Sequence, residues 1–391
     1  VDDNPVNRRL LESILGRQGY QTTVAADGEQ AIAMGLSRDF DLILLDVMMP
    51  GKDGYQVCAE LKRAQRCAET PIIFVSALAE ADDHVKGLEL GAADYINKPF
   101  NRGEVLARVN THIQIGTLTR ELRRMNSELL ARQLLLEQDL AAAREIQASL
   151  LPRSRSIAEP WVKIDWCFEP CDSVSGDVFN VFWLDHEHLG AYIVDVCGHG
   201  VPAAMVTVAV SRSLSPDNGW AVERTPDGQS KIASPGEVLR RLDAEYPMER
   251  FGKFLTIVYL VLNCRTQRLA FSCAGHPPPL LVRGDGQIES LNRGGTIIGL
   301  GGGVPFDEGE IELHPSDRVF LYTDGVFERE NAAEEAFGQD RLAHELYAAR
   351  GDSLPVACER LTRQLNVFAR GAPPTDDITL CGLELQNIMK G

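Results

Sequence analysis

The chain has 391 residues, enough for two domains, and its 44% hydrophobic and 24% charged content is that of a globular protein. A net charge of −17, from 39 basic and 56 acidic residues, argues against generic binding to DNA or anionic membranes and suits a chain that gathers carboxylates for divalent metals. No apolar run reaches the roughly 18 residues of a membrane span and no signal peptide opens the chain, while nine scattered cysteines without CxxC pairs argue against zinc and fit reduced thiols in the cytoplasm.

The front module, residues 1–112, opens on Val1-Asp2-Asp3. A strand is expected just before this acidic pair, so a few residues are expected ahead of Val1. Pro5–Gly19 already reads as a helix, with Leu10, Leu11, Ile14 and Leu15 on one face. Strands and helices then alternate. Strands are predicted at Gln21–Ala26, Asp41–Leu45, Pro71–Ser76 and Tyr95–Ile96, with helices at Glu29–Leu36, Tyr55–Ala64, Asp82–Leu90 and from Arg102. Apolar strands alternating with helices predict an α/β, doubly wound parallel sheet, with functional residues at the carboxyl ends of its strands.

The residues at those ends are Asp2, Asp3, Asp46, Ser76 and Lys98. Three carboxylates in one crevice repel one another and call for a cation, and oxygen ligands suit Mg²⁺. A carboxylate beside Mg²⁺ can attack a phosphoryl group and become an acyl phosphate, whose oxygens a hydroxyl and an ammonium can hold. Any one of the five alone could be a turn or cap residue; it is the set in this order that carries the chemistry.

VDDN, LLDVMMPGKDG, FVSA and DYINKPF resemble a response-regulator receiver domain of flavodoxin-like fold, over essentially its full length. The resemblance implies that Asp46 is the phosphoacceptor. It implies a Mg²⁺ held by Asp2, Asp3, Asp46 and the Met48 carbonyl, phosphate contacts from Ser76 and Lys98, and an aromatic switch at Tyr95. Lys98–Pro99 is where that family has a cis peptide.

Residues 113–151 form a different kind of segment. Ile115, Leu118, Leu122, Met125, Leu129, Leu136, Ala143, Ile146 and Leu150 recur at alternating steps of three and four, interrupted at Arg132 and Asp139. About five such heptads with charges on the other faces argue for a coiled-coil linker helix of about 54 Å. A long surface helix packed on its own domain is the alternative; a parallel two-stranded coil joining two modules is the preferred reading. Pro152 is expected to end it.

From residue 152 to 391 the pattern changes to paired apolar strands, among them Ile164–Glu169, Phe179–Leu184, Leu189–Val196, Phe254–Leu262, Leu269–Ala274, Leu280–Arg283 and Arg318–Tyr322. Arg283-Gly284-Asp285-Gly286 and Asn263–Thr266 read as hairpin turns. Helices are predicted at Val201–Leu214, Pro235–Glu245, Arg341–Ala349 and Leu354–Ala369, and Ser215–Ser234 as a mobile loop. Runs of strands with separate helices predict an α+β fold of two packed sheets flanked by helices. Asp177, Asp195, Asp324, Asp376 and Asp377 each sit at a strand end or turn near Gly or Pro. Each could merely terminate a strand, but together they look like oxygen ligands for two divalent ions.

AREIQASLLP, SGDVFN, VDVCGHGVPAAM, FLTIVYL, CAGHPPPLL, YTDGVFE and DDITL resemble the metal-dependent Ser/Thr phosphatases of the PP2C type, in the bacterial branch that includes SpoIIE. The whole layout resembles the RssB-type sigma-factor stress-response regulators. The resemblance implies a PP2C-like β-sandwich holding two Mn²⁺ or Mg²⁺. Asp195 would bridge both ions with the Val196 carbonyl beside it, Asp177 would bind on one side, and Asp324 and Asp376 on the other. The implied reaction is hydrolysis of phosphoserine or phosphothreonine by water, without a covalent intermediate. Where the family has a second Asp three residues after Asp177, this chain has Asn180, which is expected to lower affinity for one metal. His199 reads as turn-stabilising or, alternatively, as a proton donor; His276 reads as structural.

These features lead to one expected function. A histidine kinase or phosphotransfer protein phosphorylates Asp46, and a homodimeric coil passes the signal to a cytoplasmic Ser/Thr phosphatase. Its substrate is expected to be a phosphorylated anti-sigma-factor antagonist in a partner-switching pathway, with no nucleic-acid or membrane partner. The rival is a non-catalytic adaptor that binds a sigma factor or its regulator, which Asn180 favours. A DNA-binding regulator lacks a basic recognition helix.

Overall fold

A computed structural model describes residues 1–77, 81–217, 220–224, 230–301 and 303–387. The chain divides into two compact units, one from Val1 to Leu135 and one from Leu136 onward.

In the first unit the order is α1 (Pro5–Gly16), α2 (Gly28–Ser37), β1 (Ile43–Asp46), α3 (Gly54–Arg63), β2 (Ile72–Ser76), α4 (Ala81–Glu89), β3 (Asp94–Asn97) and α5 (Arg102–Ala148). Side-chain caps start three helices: Asn4 accepts from the Val6 amide, Asp27 from Gln30, and Asp53 forms a capping box with Gln56. β1, β2 and β3 are parallel neighbours, with Asp46 opposite Val75 and Ser76 opposite Asn97. One face of the sheet packs Leu45, Ile72 and Phe74, the other Ile73, Val75 and Ile96. Burial on both faces is why these strands are apolar throughout. Asp46 and Ser76 are the last residues of their strands.

The expected strand at Gln21–Ala26 does not form. Residues 21–25 join no ladder, because a cavity of about 490 Å³ lies between them and the Leu42–Leu44 edge. A strand needs a ladder of backbone bonds to a neighbour about 4.8 Å away, and among the described residues a single long one, from Asp2 N to Ala25 O at 3.4 Å, is made there. Val1 bonds to that edge, donating its N–H to Leu44 O at 2.8 Å and accepting from Asp46 N at 3.0 Å.

The two helices expected from Arg102 and from Ile115 are one, α5, of 47 residues or about 70 Å. It ends at Ala148, before Pro152. Leu118, Leu122, Met125, Leu129 and Leu136 are each more than half exposed in the single chain. Near the C-terminal end the covered residues are Leu140, Ala143, Gln147 and Leu150, while Ile146 is 60% exposed. Ile146, a heptad position in the sequence reading, is thus exposed in the single chain like Leu118, Leu122, Met125, Leu129 and Leu136. A strict heptad drifts about 20° per repeat around a straight helix, so one face is kept only by a shift in phase. The covered set steps three, four and three from Leu140 to Leu150, on a face offset from the exposed heptad series.

The second unit continues with β4 (Val162–Glu169), β5 (Asp177–Trp183), β6 (His188–Val196), α6 (Val201–Ser213), β7 (Val222–Arg224), β8 (Ser230–Ile232), α7 (Pro235–Glu245), α8 (Met248–Phe251), β9 (Leu255–Asn263), β10 (Arg268–Ala274), β11 (Leu280–Val282), β12 (Ile288–Ser290), β13 (Gly294–Gly295), β14 (Gly309–Glu312), β15 (Arg318–Tyr322), α9 (Asp324–Phe327), α10 (Gln339–Ala348), α11 (Leu354–Ala369) and β16 (Ile378–Leu385). One sheet has the order β13-β10-β9-β6-β5, with β14 also on β10; the other has β12-β11-β15-β16-β4. Phe179, Val181, Ile193, Val258 and Leu260 of the first sheet meet Leu281, Val319, Leu321 and Cys381 of the second. The alternate residues Val178, Phe182, Tyr192 and Tyr259 pack under α6 and α7, and Phe320, Tyr322 and Leu380 under α10 and α11. The result is the expected sandwich between helices.

The predicted mobile loop Ser215–Ser234 instead contains the β7–β8 hairpin; residues 218–219 and 225–229 lie outside the described residues. Strands β12, β13 and β14 escaped prediction because two to four half-exposed residues carry too little pattern. Among the described residues no helix is long and apolar enough to cross a membrane.

Candidate active sites

In the first unit, β1 delivers Asp46 into a crevice with Asp2 and Asp3. One carboxylate oxygen from each lies within 4.8 Å of the others. Asp2 and Asp46 are buried and Asp3 is exposed. Lys98, just after β3, reaches Asp46 Oδ2 at 2.6 Å and Asp2 Oδ2 at 2.9 Å. Burial pushes the Asp46 carboxyl above its ordinary value and the Asp2 charge adds to this, while the Lys98 hydrogen bond pulls back. Burial also works against the Lys98 charge, but its bonds to Asp46 and Asp2 prevail and raise it. The Met48 amide donates to Asp46 Oδ1 at 3.3 Å. Ser76 is buried at the end of β2, and the Tyr95 ring is buried with its centroid 5.3 Å from that of Phe74. The Lys98–Pro99 peptide is cis. Gly54 lets α3 start against β1, since a Cβ there would lie 2.3 Å from Asp46 O.

In the second unit, the β5–β6 register sets Asp177 opposite Asp195, and the β15–β16 pairing brings Asp324 and Asp376 to the matching end of the other sheet. The two sheets are tied there. The hydroxyls of Thr323 and Thr379 both donate to Asp177 Oδ2, at 2.8 and 2.6 Å. Burial, then the Asp195 charge, pushes the Asp177 carboxyl well above its usual range against those two bonds. Burial, then Asp324, Asp376 and Asp377, raises Asp195 to about 7. Asp324 and Asp376 are raised as well, chiefly by burial. Among the described residues, no Lys or Arg forms an ion pair with Asp177, Asp195, Asp324 or Asp376. Carboxylates that raise one another and lack a counter-cation are a donor set suited to hard divalent ions.

Asp377, one of the candidate oxygen ligands in the sequence though not in the set the resemblance implies, braces the turn before Asp177. Its Oδ2 accepts from Ser175 Oγ at 2.6 Å and Gly176 N at 2.8 Å, and its Oδ1 from Cys171 N at 2.8 Å. Ligand atoms of Cys171, Asp376 and Asp377 lie within 4.8 Å of one another. Burial, then the Asp377 charge, pushes the Cys171 thiol up to about 12, so it stays protonated. The Val196 carbonyl approaches Gly176 so closely that a Cβ there would lie 2.9 Å away. At Gly325 a Cβ would lie 2.1 Å from Asp377 O.

Asn180 is opposite Tyr192 on β6 and three residues from Asp177, so its side chain lies on the helix-covered face of β5, away from Asp177. It therefore replaces no carboxylate beside Asp177. His199 is 73% exposed, with Nδ1 3.5 Å from Asp172 Oδ2, so it does not brace a buried turn. His276 is buried and structural. Its Nδ1 pairs with Thr256 Oγ1 at 2.7 Å, its Nε2 donates to Tyr322 O at 3.1 Å, and burial lowers it to about 3, leaving it neutral. Sequence reasoning also missed Thr323 and Thr379, although Thr323 precedes Asp324 in YTDG and Thr379 lies two residues after Asp377 in DDIT.

The sequence profile described as Stage II sporulation protein E (SpoIIE) matches residues 185–386, just over half of the chain. The chain belongs to the SpoIIE family. A response regulator receiver domain profile matches residues 1–110. This SpoIIE-family chain thus joins a receiver domain to a SpoIIE/PP2C-type phosphatase domain. Over 119 residues it is 44% identical to the transcriptional regulatory protein ResD of Bacillus subtilis, covering 30% of this chain and 48% of ResD. Over 120 residues it is 38% identical to TcrA of Mycobacterium tuberculosis, covering 31% of this chain and 47% of TcrA. The chain spans about half the length of these relatives, and the shared part is the receiver. The SiaA-PP2C domain of Pseudomonas aeruginosa has the fold of the second unit, with a TM-score of 0.56 and 23% identity over 66% of this chain and 99% of that one.

Two outcomes are expected. With Asp195 near 7, protons compete with cations below neutrality, so Mn²⁺ affinity by calorimetry falls from pH 8 to pH 6, toward about tenfold per unit for each proton displaced. Because the folded value lies above the ordinary 3.8, ionising Asp195 destabilises the metal-free fold as pH rises from about 4 to about 7. Chelation therefore lowers Tm more at pH 8 than at pH 6, and equal losses would contradict this assignment. Asn180→Asp should leave Mn²⁺ affinity within about twofold of the parent, since its side chain faces away from the site.

Proposed function

We propose that this chain is a two-component response regulator in which phosphorylation of Asp46 controls a metal-dependent protein Ser/Thr phosphatase. The observation that carries the reading is the set of carboxylates at Asp177, Asp195, Asp324 and Asp376, all raised above their ordinary value and, among the described residues, without a paired cation. In this reading the receiver spans 1–112, the coil 113–151 and the phosphatase 152–391.

Asp177, Asp195 with the Val196 carbonyl, Asp324 and Asp376 would hold two Mn²⁺ or Mg²⁺; Asp2, Asp3, Asp46 and the Met48 carbonyl would hold one Mg²⁺. Bound there, such ions supply a water acidified toward neutral pH and positive charge for phosphoryl oxygens. The chain's own residues do the rest. The hydroxyls of Thr323 and Thr379 orient Asp177, and Asp377 keeps the turn before it in place. In the receiver, Asp46 takes the phosphoryl group, Lys98 and Ser76 hold its oxygens, and Tyr95 reports the change.

The donor is a histidine kinase or phosphotransfer protein. The substrate is a phosphorylated anti-sigma-factor antagonist in a partner-switching pathway of the cytoplasm, with neither nucleic acid nor membrane as partner. The exposed residues Leu118, Leu122, Met125 and Leu129 support a homodimer through α5, because a row of half-exposed leucines on a lone helix is costly in water. The rival adaptor reading drew on Asn180, whose side chain lies on the face of β5 away from Asp177.

Asp324→Ala should abolish Mn²⁺-dependent release of phosphate from a phosphorylated antagonist, by at least about a hundredfold, with Tm within a few degrees of the parent. Full activity in that variant would sink the two-metal reading. Asp46→Asn should remove the response to a phosphodonor while basal activity persists. Leu122→Asp with Leu129→Asp should give monomers in sedimentation. Inserting one residue near Arg132 should uncouple the receiver from the phosphatase; control surviving that shift would make α5 a tether only.

A further inference from the structure

The last turn of α5 is bonded to the loop that carries Asp177. Gln147 is 3% exposed on the covered face of the helix, beside an Ile146 that is 60% exposed. Its carboxamide reads both groups of one backbone residue. Nε2 donates to Ser175 O at 2.6 Å, and Ser175 N donates to Oε1 at 2.9 Å. One turn earlier, Arg144 Nε donates to Ser173 O at 2.7 Å. Ser175 then passes the constraint on. Its hydroxyl donates to Asp377 Oδ2 at 2.6 Å and accepts from the Asp177 amide at 2.9 Å.

The residue type is specific. A buried backbone N–H and C=O presented together need a side chain with one donor and one acceptor side by side. Glu at this position keeps the acceptor and loses the donor, and Ala loses both. Loss of the pair leaves buried backbone groups unmatched, which favours a different loop conformation. The contact is also sensitive to helix rotation. At a side-chain radius of about 6 Å, a turn of about 30° moves the carboxamide by about 3 Å, more than two hydrogen bonds tolerate.

We propose that Gln147 is a positioning residue that makes cation affinity depend on the rotation of α5. Seated, the helix holds Ser175-Gly176-Asp177 in the form that accepts a divalent ion; rotated, it releases them. This rests on the metal-dependent phosphatase reading and adds to it the residue through which the helix acts.

The test uses the full chain. Mn²⁺ binding is measured by calorimetry, and kcat and KM with p-nitrophenyl phosphate at saturating Mn²⁺, for the parent, Gln147→Ala, Gln147→Glu and Asp324→Ala. Hydrogen exchange is followed at residues 173–177. The expected result for both Gln147 variants is a roughly tenfold weaker Kd for Mn²⁺ and faster exchange at 173–177. Their kcat should change less than about threefold once Mn²⁺ saturates. A merely structural role would instead lower Tm and leave the Kd of the folded fraction alone. If Gln147→Ala does not fold, Gln147→Glu carries the test, being of the same size. An unchanged Kd in folded Gln147→Glu, with Asp324→Ala weakened, overturns this inference alone. A parent that binds no Mn²⁺, or an Asp324→Ala that binds as well as the parent, overturns the phosphatase reading and this inference with it.

Discussion

Several carboxylates brought to one cleft, Asp177 buried, Asp195 and Asp324 half-buried and Asp376 exposed, repel one another, and much of the second unit is arranged to hold them there. Asp177 and Asp195 come from adjacent strands of one sheet, and Asp324 and Asp376 from the end of the other. The cleft exists only while the two sheets stay in register. The hydroxyls of Thr323 and Thr379 fix that register chemically, by crossing from one sheet to a carboxylate of the other. Beneath them, Phe179, Val258 and Leu321 supply the apolar burial that makes the arrangement affordable.

Asp377 has a separate task from its neighbour Asp376. With Cys171 N, Ser175 Oγ and Gly176 N all donating to it, its oxygens are engaged in bracing the turn before Asp177. Two adjacent aspartates thus divide the labour. One is open to the cleft; the other shapes the loop opposite. The Gln147 clamp joins the same loop from the outside, so a turn of only a few residues is held both by the sheet ends and by the last turn of α5.

The receiver solves the same electrostatic problem differently. There Lys98 bonds to both Asp46 and Asp2, so the crevice carries its own counter-charge. The phosphatase cleft has no such lysine among the described residues. One crevice is charge-compensated by its own lysine; the other leaves its carboxylates without a paired cation among the described residues.

Much of this was legible in the amino-acid order. Continuous apolar runs ending in Asp46, Ser76 and Asp195 announce buried strands with chemistry at their tips, because strand burial and strand ends are local properties. Helices such as Pro235–Glu245 and Leu354–Ala369 carry their own start signals and periodicity. What the sequence could not decide depended on partners distant along the chain. Whether Gln21–Ala26 becomes a strand depends on a neighbour at hydrogen-bonding distance. Whether Asn180 sees the cleft depends on the parity of its pairing with Tyr192. Which face of α5 is covered after Leu136 depends on what it meets: Gln147 is bonded to Ser175, while Ile146 stays exposed. Composition and periodicity thus determined which elements form and which residues stand at their ends. Only the tertiary structure decided which side chains meet, because pairing parity and contacts between distant residues such as Gln147 and Ser175 are set by packing.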